Sequence, residues 1–301
     1  MAGVLCVGIA TQDFVFGLDA IPTTAEKHRA RDLAVVGGGI AANAAVAVAR
    51  LGARAMLATR LGEDTTARDI VSDLEAEGID CSLCRRFPGH RSSSSAVLVD
   101  ARGERMVINY ADDTLPADAG WLPPRLPDGI RAVMADTRWE EGGLALFAAA
   151  RASGGYGVLD ADRAVRHPEL LSAATHVAWA AQALREATGL QDPREGLAAA
   201  AKRADTWMAV TDGGNGVWFT EAGAIAHEPA FPIVPVDTLG AGDVFHGALA
   251  LGLAEGRDAR GAVRFASAAA ALKCTRFGGR AGAPTRAEVD AFMNDRTREN
   301  G

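Results

Sequence analysis

Four cysteines in 301 residues are too few and too scattered for a disulfide framework. Cys81 and Cys84 form a CxxC, but no second pair stands at zinc spacing and no thioredoxin-type helix follows, so ordinary reduced thiols are expected. No apolar run reaches the roughly 18 residues of a membrane span, and the opening MAGVLCVGIATQD lacks the charged start and cleavage pattern of a signal peptide. A cytoplasmic protein with no membrane partner is the expectation. A basic block is also missing: 31 Lys and Arg stand against 38 Asp and Glu, a net charge of -7, which argues against nucleic acid as the main partner. Any cationic site must be local. Neither an internal repeat nor a low-complexity linker interrupts the chain.

What is present reads as α/β. At 49% hydrophobic residues the length suits one large α/β domain or two ordinary ones. The apolar run Val4 to Ala10 predicts a buried strand, and Gly37 to Asn43 leads into an Ala-rich helix ending near Arg50. Met56 to Thr59 predicts a strand, followed by a helix capped at Asp64 or Thr65 and stopped by Gly78. Residues 92 to 110 break this rhythm with two short strand-like runs joined by a turn at Asp100 to Gly103, a hairpin standing off the sheet. Further strands are expected at Arg131 to Ala135, Gly157 to Leu159, Thr175 to Trp179 and Thr206 to Val210, then a small hairpin at Gly216 to Thr220 and Ala224 to His227. One α/β domain over residues 1 to 301, with a small β outgrowth, is the economical architecture.

The chemistry concentrates in PVDTLGAGDVFHG, residues 235 to 247. An extended run turns through Gly240, Ala241 and Gly242 into a helix whose apolar residues Val244, Phe245, Leu249 and Leu253 have helical spacing. The first amides of a helix lack internal partners and attract anions. One such donor aimed at developing charge is worth ~3 kcal/mol in a transition state. A carboxylate beside this hole would repel a phosphate, so Asp243 is better suited to accept a proton from an attacking hydroxyl. For an arbitrary Gly-Ala-Gly-Asp, a plain helix cap is the simpler reading. Gly38 and Gly39 before a helix let a ligand approach backbone, and Asn43, one turn in, offers a donor and an acceptor to vicinal hydroxyls. A dinucleotide loop fits poorly, because the spacing is not GxGxxG and the glycines come ~30 residues after the first strand.

Asp237-Thr-Leu-Gly-Ala-Gly-Asp243 resembles the signature of the ribokinase-like sugar kinases, the PfkB family. Gly38-Gly39-Ile-Ala-Ala-Asn43 is similar to that family's sugar-binding GGxxxN, Asp13 to its early sugar-binding Asp, and Thr211-Asp-Gly213-Gly-Asn-Gly216 to its nucleotide-binding TxGxxG. The resemblance implies a three-layer α/β/α sandwich with a mostly parallel central sheet and a β-sheet lid over approximately 11 to 36 and 92 to 110. It implies Asp243 as general base, Gly240, Ala241 and Gly242 as anion hole, and ATP with Mg²⁺ as cofactors. Unpaired edges of the lid sheet favour a homodimer through the lid, and a monovalent cation (K⁺) near Asp237 is a further candidate cofactor that the sequence leaves open. Ala271 and Gly279 lie in small-residue stretches that would admit an adenine ring. The family's NxxE, used in arranging magnesium, is replaced by Ala180-Ala-Gln182-Ala183, so the metal is expected to ride on the nucleotide's own oxygens.

Lys27, Asn109 and Arg138 lie on or facing the lid, and two cations with an amide suit a fixed anion on the sugar. The runs EKHRAR, INY, ADTRW and AALKCTRFGGRAG resemble the sulfofructose kinase branch of the family, in which the matching Lys, Asn and Arg recognise a sulfonate. The implied reaction is ATP-dependent phosphorylation of 6-deoxy-6-sulfofructose on its 1-hydroxyl. A fructokinase, a phosphofructokinase or another ketose kinase is the near alternative, and a non-catalytic sugar-binding protein the more distant one.

Overall fold

The computed structural model describes residues 2–102 and 104–299. Nine strands form the main sheet in the order β13-β12-β11-β10-β9-β8-β1-β4-β5. These are β1 (Gly3–Gly8), β4 (Ala55–Gly62), β5 (Asp80–Phe87), β8 (Ile130–Ala135), β9 (Tyr156–Ala161), β10 (His176–Ala180), β11 (Trp207–Thr211), β12 (Val217–Glu221) and β13 (Ala224–Glu228). All pairings from β11 to β5 are parallel, and β12 and β13 add an antiparallel edge. Alternation along β1 explains the layers. Val4 and Cys6 pack on one face with α1 (Ile40–Arg50), α2 (Thr65–Ala76), α7 (Ala241–Ala254) and α8 (Ala259–Cys274). Leu5 and Val7 pack on the other with α3 (Glu140–Ala152), α4 (Glu169–Ala173), α5 (Ala181–Thr188) and α6 (Pro193–Ala201). A last helix, α9 (Arg286–Glu299), buries Val289 in the first layer. The expected α/β sandwich is present, and none of these helices is long and apolar enough to cross a membrane.

The second sheet, β3-β2-β6-β7, is built from β2 (Thr11–Gly17), β3 (Asp32–Gly38), β6 (Ser93–Val99) and β7 (Arg105–Tyr110). It corresponds to the outgrowth read from residues 92 to 110. Gly103 of the anticipated turn lies outside the described residues. The lid segment read at 11 to 36 supplies β2 and β3, whereas β5, the main sheet's edge, which carries the free thiols Cys81 and Cys84, went unread. Charged and polar residues at Asp80, Ser82, Arg85 and Arg86 hide the strand's periodicity, and parallel pairing with β4 overrides it.

Strand ends at the C-terminal edge of the parallel sheet are tied together by one buried carboxylate. Asp136, just past β8, accepts from the amides of Ile9 (2.8 Å), Ala41 (3.1 Å) and Arg138 (2.8 Å). It thereby joins β1, α1 and β8, and it supplies the N-terminal acceptor that α1 lacks in its own sequence. Burial pushes its carboxyl up to about 6, against the pull of the Ile9 and Arg138 amides. Gly8 makes room for it, because a Cβ there would stand 2.1 Å from Asp136 Oδ2 on backbone already at φ 150. Gly8→Ala is therefore expected to cost about 1–3 kcal/mol in urea unfolding. An unchanged midpoint would mean that the carboxylate can retreat.

Candidate active site

Helix α7 starts at Gly240 in the left-handed region (φ 76), and every residue from Val244 to Ala254 is buried. The helix is apolar all round because the sheet lies on one side and α1 and α8 on the others. Gly247 lets α7 touch α1 backbone to backbone; a Cβ there would sit 2.6 Å from the Ala44 carbonyl oxygen. This crossing brings Asn43 Nδ2 to 2.7 Å from Asp243 Oδ2, across 200 residues of chain. Asn43 Oδ1 is buried with no partner, an acceptor held ready for a hydroxyl. The Gly240 Cα faces the same point, with Asp243 Oδ2 and Asn43 Nδ2 both within 4 Å of where its Cβ would be.

The hole at the helix start differs from expectation in one member. The Ala241 amide donates to the Thr238 carbonyl at 3.2 Å, closing a turn. Among the described residues the amides of Gly242 and Asp243 have no hydrogen-bond partner, and these two remain to meet an anion. Gly242 itself is exposed.

Behind Asp243 lies an ion pair that sequence reading missed. Asp160, at the end of β9, sits 3.0 Å from His246 Nδ1, and both are buried. The same nitrogen lies 2.7 Å from the Gly242 carbonyl, and Nε2 lies 3.2 Å from the Ala178 carbonyl. Both ring nitrogens face acceptors, the pattern of a doubly protonated ring. Although burial lowers its pKa, Asp160 raises it further, to about 9. His246 thus anchors the backbone of the hole through Gly242. Burial drives Asp243 up to about 7; Asn43's hydrogen bond opposes this, while the charges of Asp160 and Asp136 reinforce it. Acids closing the apolar runs AVMAD and GVLD are the signal that marks Asp136 and Asp160, since such strand ends line the crevice of a parallel sheet.

On the lid side, Asp13 in β2 lies against Gly38, whose Cβ would fall 2.3 Å from Asp13 Oδ2, and Asp13 Oδ1 accepts from Thr11 Oγ1 at 3.1 Å. Gly39 caps α1 at φ 94 and abuts the Ile9 carbonyl. The Arg280 guanidinium occupies the space a Gly37 side chain would need and pairs with Asp73 of α2.

Across α7, a cavity of about 490 Å³ is lined by Thr211, Gly213, Gly216, Ala241, Gly242 and Ala271 among others. Three stretches of the chain converge there, 211 to 217, 230 to 245 and 267 to 274. Gly279 does not line it, and its amide is spent on Asp237 Oδ2 at 3.1 Å.

The anion-binding trio is not assembled as expected. Lys27 stands on an exposed loop, and Asn109 donates to Ser95 Oγ at 3.1 Å within the lid. Arg138 spends its fork on Asp162, at 2.6 and 3.0 Å. Arg138 nevertheless lines a cavity of about 510 Å³ with Arg60, Arg163 and Arg166, reaching Gly8 and Ile9 at the end of β1. Burial lowers the pKa of Arg60 and of Arg163. Arg60 is held by the Leu115, Pro116 and Arg138 carbonyls, with no carboxylate in contact.

A parallel sheet whose edge offers free helix-start amides and a carboxylate of raised pKa, with a cavity on either flank, suits an enzyme of group transfer to a small hydroxylated substrate. The model of the pfkB family carbohydrate kinases matches residues 1–286, and the chain belongs to that family. It is a sugar kinase of ribokinase-like fold. It is 29% identical to the ribokinase of Bacillus subtilis over 98% of this chain and all of that one. It is 32% identical to the ATP-dependent ribose-1-phosphate kinase of Halopiger xanaduensis, over 98% and 99% of the two chains. The crystal structure of a candidate ribokinase from Agrobacterium tumefaciens superposes with a TM-score of 0.92 at 39% identity, over 99% of both.

A base works only when ionised, so with Asp243 raised to about 7, kcat/KM should climb about tenfold per pH unit below that value and level above it. Asp243→Asn should lower kcat by about 10²- to 10⁴-fold. A mutant with wild-type turnover, or a profile flat from pH 5 to 8, would remove Asp243 from the role.

Proposed function

We propose that the protein transfers the γ-phosphoryl group of ATP to the 1-hydroxyl of an anionic ketose, 6-deoxy-6-sulfofructose. The observation that carries this reading is a cavity beside the end of β1 that gathers four arginines against three acids, Asp112, Asp113 and Glu141, in a chain whose net charge is -7. A sulfonate or phosphate would suit the Arg60 guanidinium, which burial desolvates and which the Leu115, Pro116 and Arg138 carbonyls hold. Lys27 and Asn109, on the lid side, complete the proposed grip when substrate is bound. A relative named for a phosphorylated sugar is consistent with an anionic acceptor in this family.

In the proposed reaction, Asp13 and the unpartnered Asn43 Oδ1 orient the sugar hydroxyls. Asp243 takes the proton of the 1-hydroxyl as that oxygen bonds to the γ-phosphorus and the bond to ADP breaks. The Gly242 and Asp243 amides receive the charge on the moving phosphoryl oxygens. Nucleotide occupies the cavity between Thr211, Gly216 and Ala271. Among the described residues no cluster of three His, Cys, Asp or Glu is fit to hold a metal, and Ala180 and Ala183 add no ligand. Mg²⁺ therefore belongs to the nucleotide substrate, bound through its phosphates.

ADP release measured with sulfofructose, fructose, fructose 6-phosphate and ribose tests the reading. Sulfofructose should give the highest kcat/KM. Arg138→Ala and Arg163→Ala should each cost it about 10- to 100-fold while sparing fructose, the worth of a charged hydrogen bond. Fructose or ribose in first place would overturn the anionic assignment.

A homodimer through the lid is part of the same proposal. Leu33, Val35, Met106, Ile108 and Tyr110 expose 41 to 60% of their surface on one face of β3 and β7, an apolar face that a second lid would cover. Light scattering should give twice the chain mass, and Ile108→Asp should halve it; a wild-type monomer at micromolar concentration would refute this.

A further inference from the structure

Asp237 opens the Asp237 to Asp243 run and is 4% exposed. Its Oδ1 accepts from Arg105 Nη2 (2.6 Å) and the Leu239 amide (2.9 Å). Its Oδ2 accepts from the Gly278 (3.0 Å) and Gly279 (3.1 Å) amides and lies 3.3 Å from Lys273 Nζ. Lys273 Nζ also donates to the Asp237 carbonyl oxygen at 2.7 Å. Five nitrogen donors thus converge on two carboxylate oxygens, which offer about four lone-pair directions. Burial raises the Asp237 pKa, but the Leu239 amide, Arg105 and the Gly279 and Gly278 amides together hold it well below the usual carboxylate range. An alkali ion needs oxygen ligands with free lone pairs, and Asp237 has none left. The residues here do not fit the monovalent cation that the sequence leaves open.

What fills the position is a side-chain cation. Lys273 is one of three lysines in the chain and is fully buried. It stands in the last turn of α8, where helix carbonyls favour positive charge. The next residue's carbonyl, Cys274 O, accepts from the Val236 (2.7 Å) and Asp237 (3.1 Å) amides, zipping the run before Gly240 onto the helix end. Burial lowers the Lys273 pKa and the Asp237 charge opposes that.

We propose that the ammonium of Lys273 is a built-in monovalent cation that holds Asp237, and through Leu239 and the 278 to 280 loop holds the turn at Gly240, so that the kinase needs no K⁺. Lys273 is a positioning residue, since it touches no proposed substrate atom. The inference rests on the sugar-kinase assignment for its rate measurement only. Its melting measurement uses no substrate, so failure of one is distinct from failure of the other.

The test measures turnover and melting temperature in KCl, NH₄Cl, NaCl and tetramethylammonium chloride at one ionic strength. For the wild type, both quantities should be the same in every salt. Lys273→Ala opens an ammonium-sized space against Asp237. In tetramethylammonium it should lose about 100-fold in rate, the cost of an ~1 Å misplacement at a reacting centre. K⁺ or NH₄⁺ should restore part of that rate and raise its melting temperature. Lys273→Met, which keeps the volume and removes the charge, should stay impaired in every salt. A wild-type enzyme activated or thermally stabilised by K⁺ over tetramethylammonium would overturn the proposal, as would Lys273→Met with wild-type turnover. If both variants fail to fold, the wild-type salt series decides alone.

Discussion

The close crossing of α1 over α7 is the constraint on which the site depends. Gly247 against the Ala44 backbone permits no side chain between the helices, so Asn43 and Asp243, remote in sequence, meet at 2.7 Å. Both helices also begin at glycines in unusual conformations, Gly39 at φ 94 and Gly240 at φ 76. Each start therefore faces the same crevice at the C-terminal edge of the parallel sheet. A bulkier residue at the crossing would push the Asn43 amide and the Asp243 carboxylate apart.

That edge is crowded with charge held out of water. Asp136 spends its carboxylate on three backbone amides, and Asp160 is matched by His246. Asp243 keeps only one neutral partner, Asn43. Burial and its two acidic neighbours raise Asp243 to about 7, whereas Asp136 and Asp160 are tied into structure by backbone amides and by His246. Buried charges in this molecule either tie elements together or do the reaction, and their hydrogen-bond partners separate the two roles.

Asp237 extends the same logic to the far side of the turn. It joins the lid through Arg105, helix α8 through Lys273 and the 278 to 280 loop through two amides. The path from lid strand to anion hole is thus a short series of ionic and backbone contacts. The cavity lined by Arg60, Arg138, Arg163 and Arg166 lies on the other flank, beside the end of β1.

The amino-acid order by itself determined the strand and helix rhythm, the helix start at 240 to 243 and its acid, and the glycine pairs that permit close approach, because periodicity, chain reversal and unpaired amides are local properties. It also marked Thr211, Gly213, Gly216 and Ala271, although not the single cavity they share. Only the tertiary structure decided where each charge is spent. Arg138 looked available as a substrate fork until Asp162 came within 2.6 Å, and Ala241 looked like a free donor until the Thr238 carbonyl took its amide. Asp160, His246 and Lys273 gave no local sign of their partners, which lie between 36 and 86 positions away along the chain. Pairing of buried charges is set by which strand ends and helix ends converge. That convergence is a property of packing in three dimensions, and it cannot be read from spacing along one.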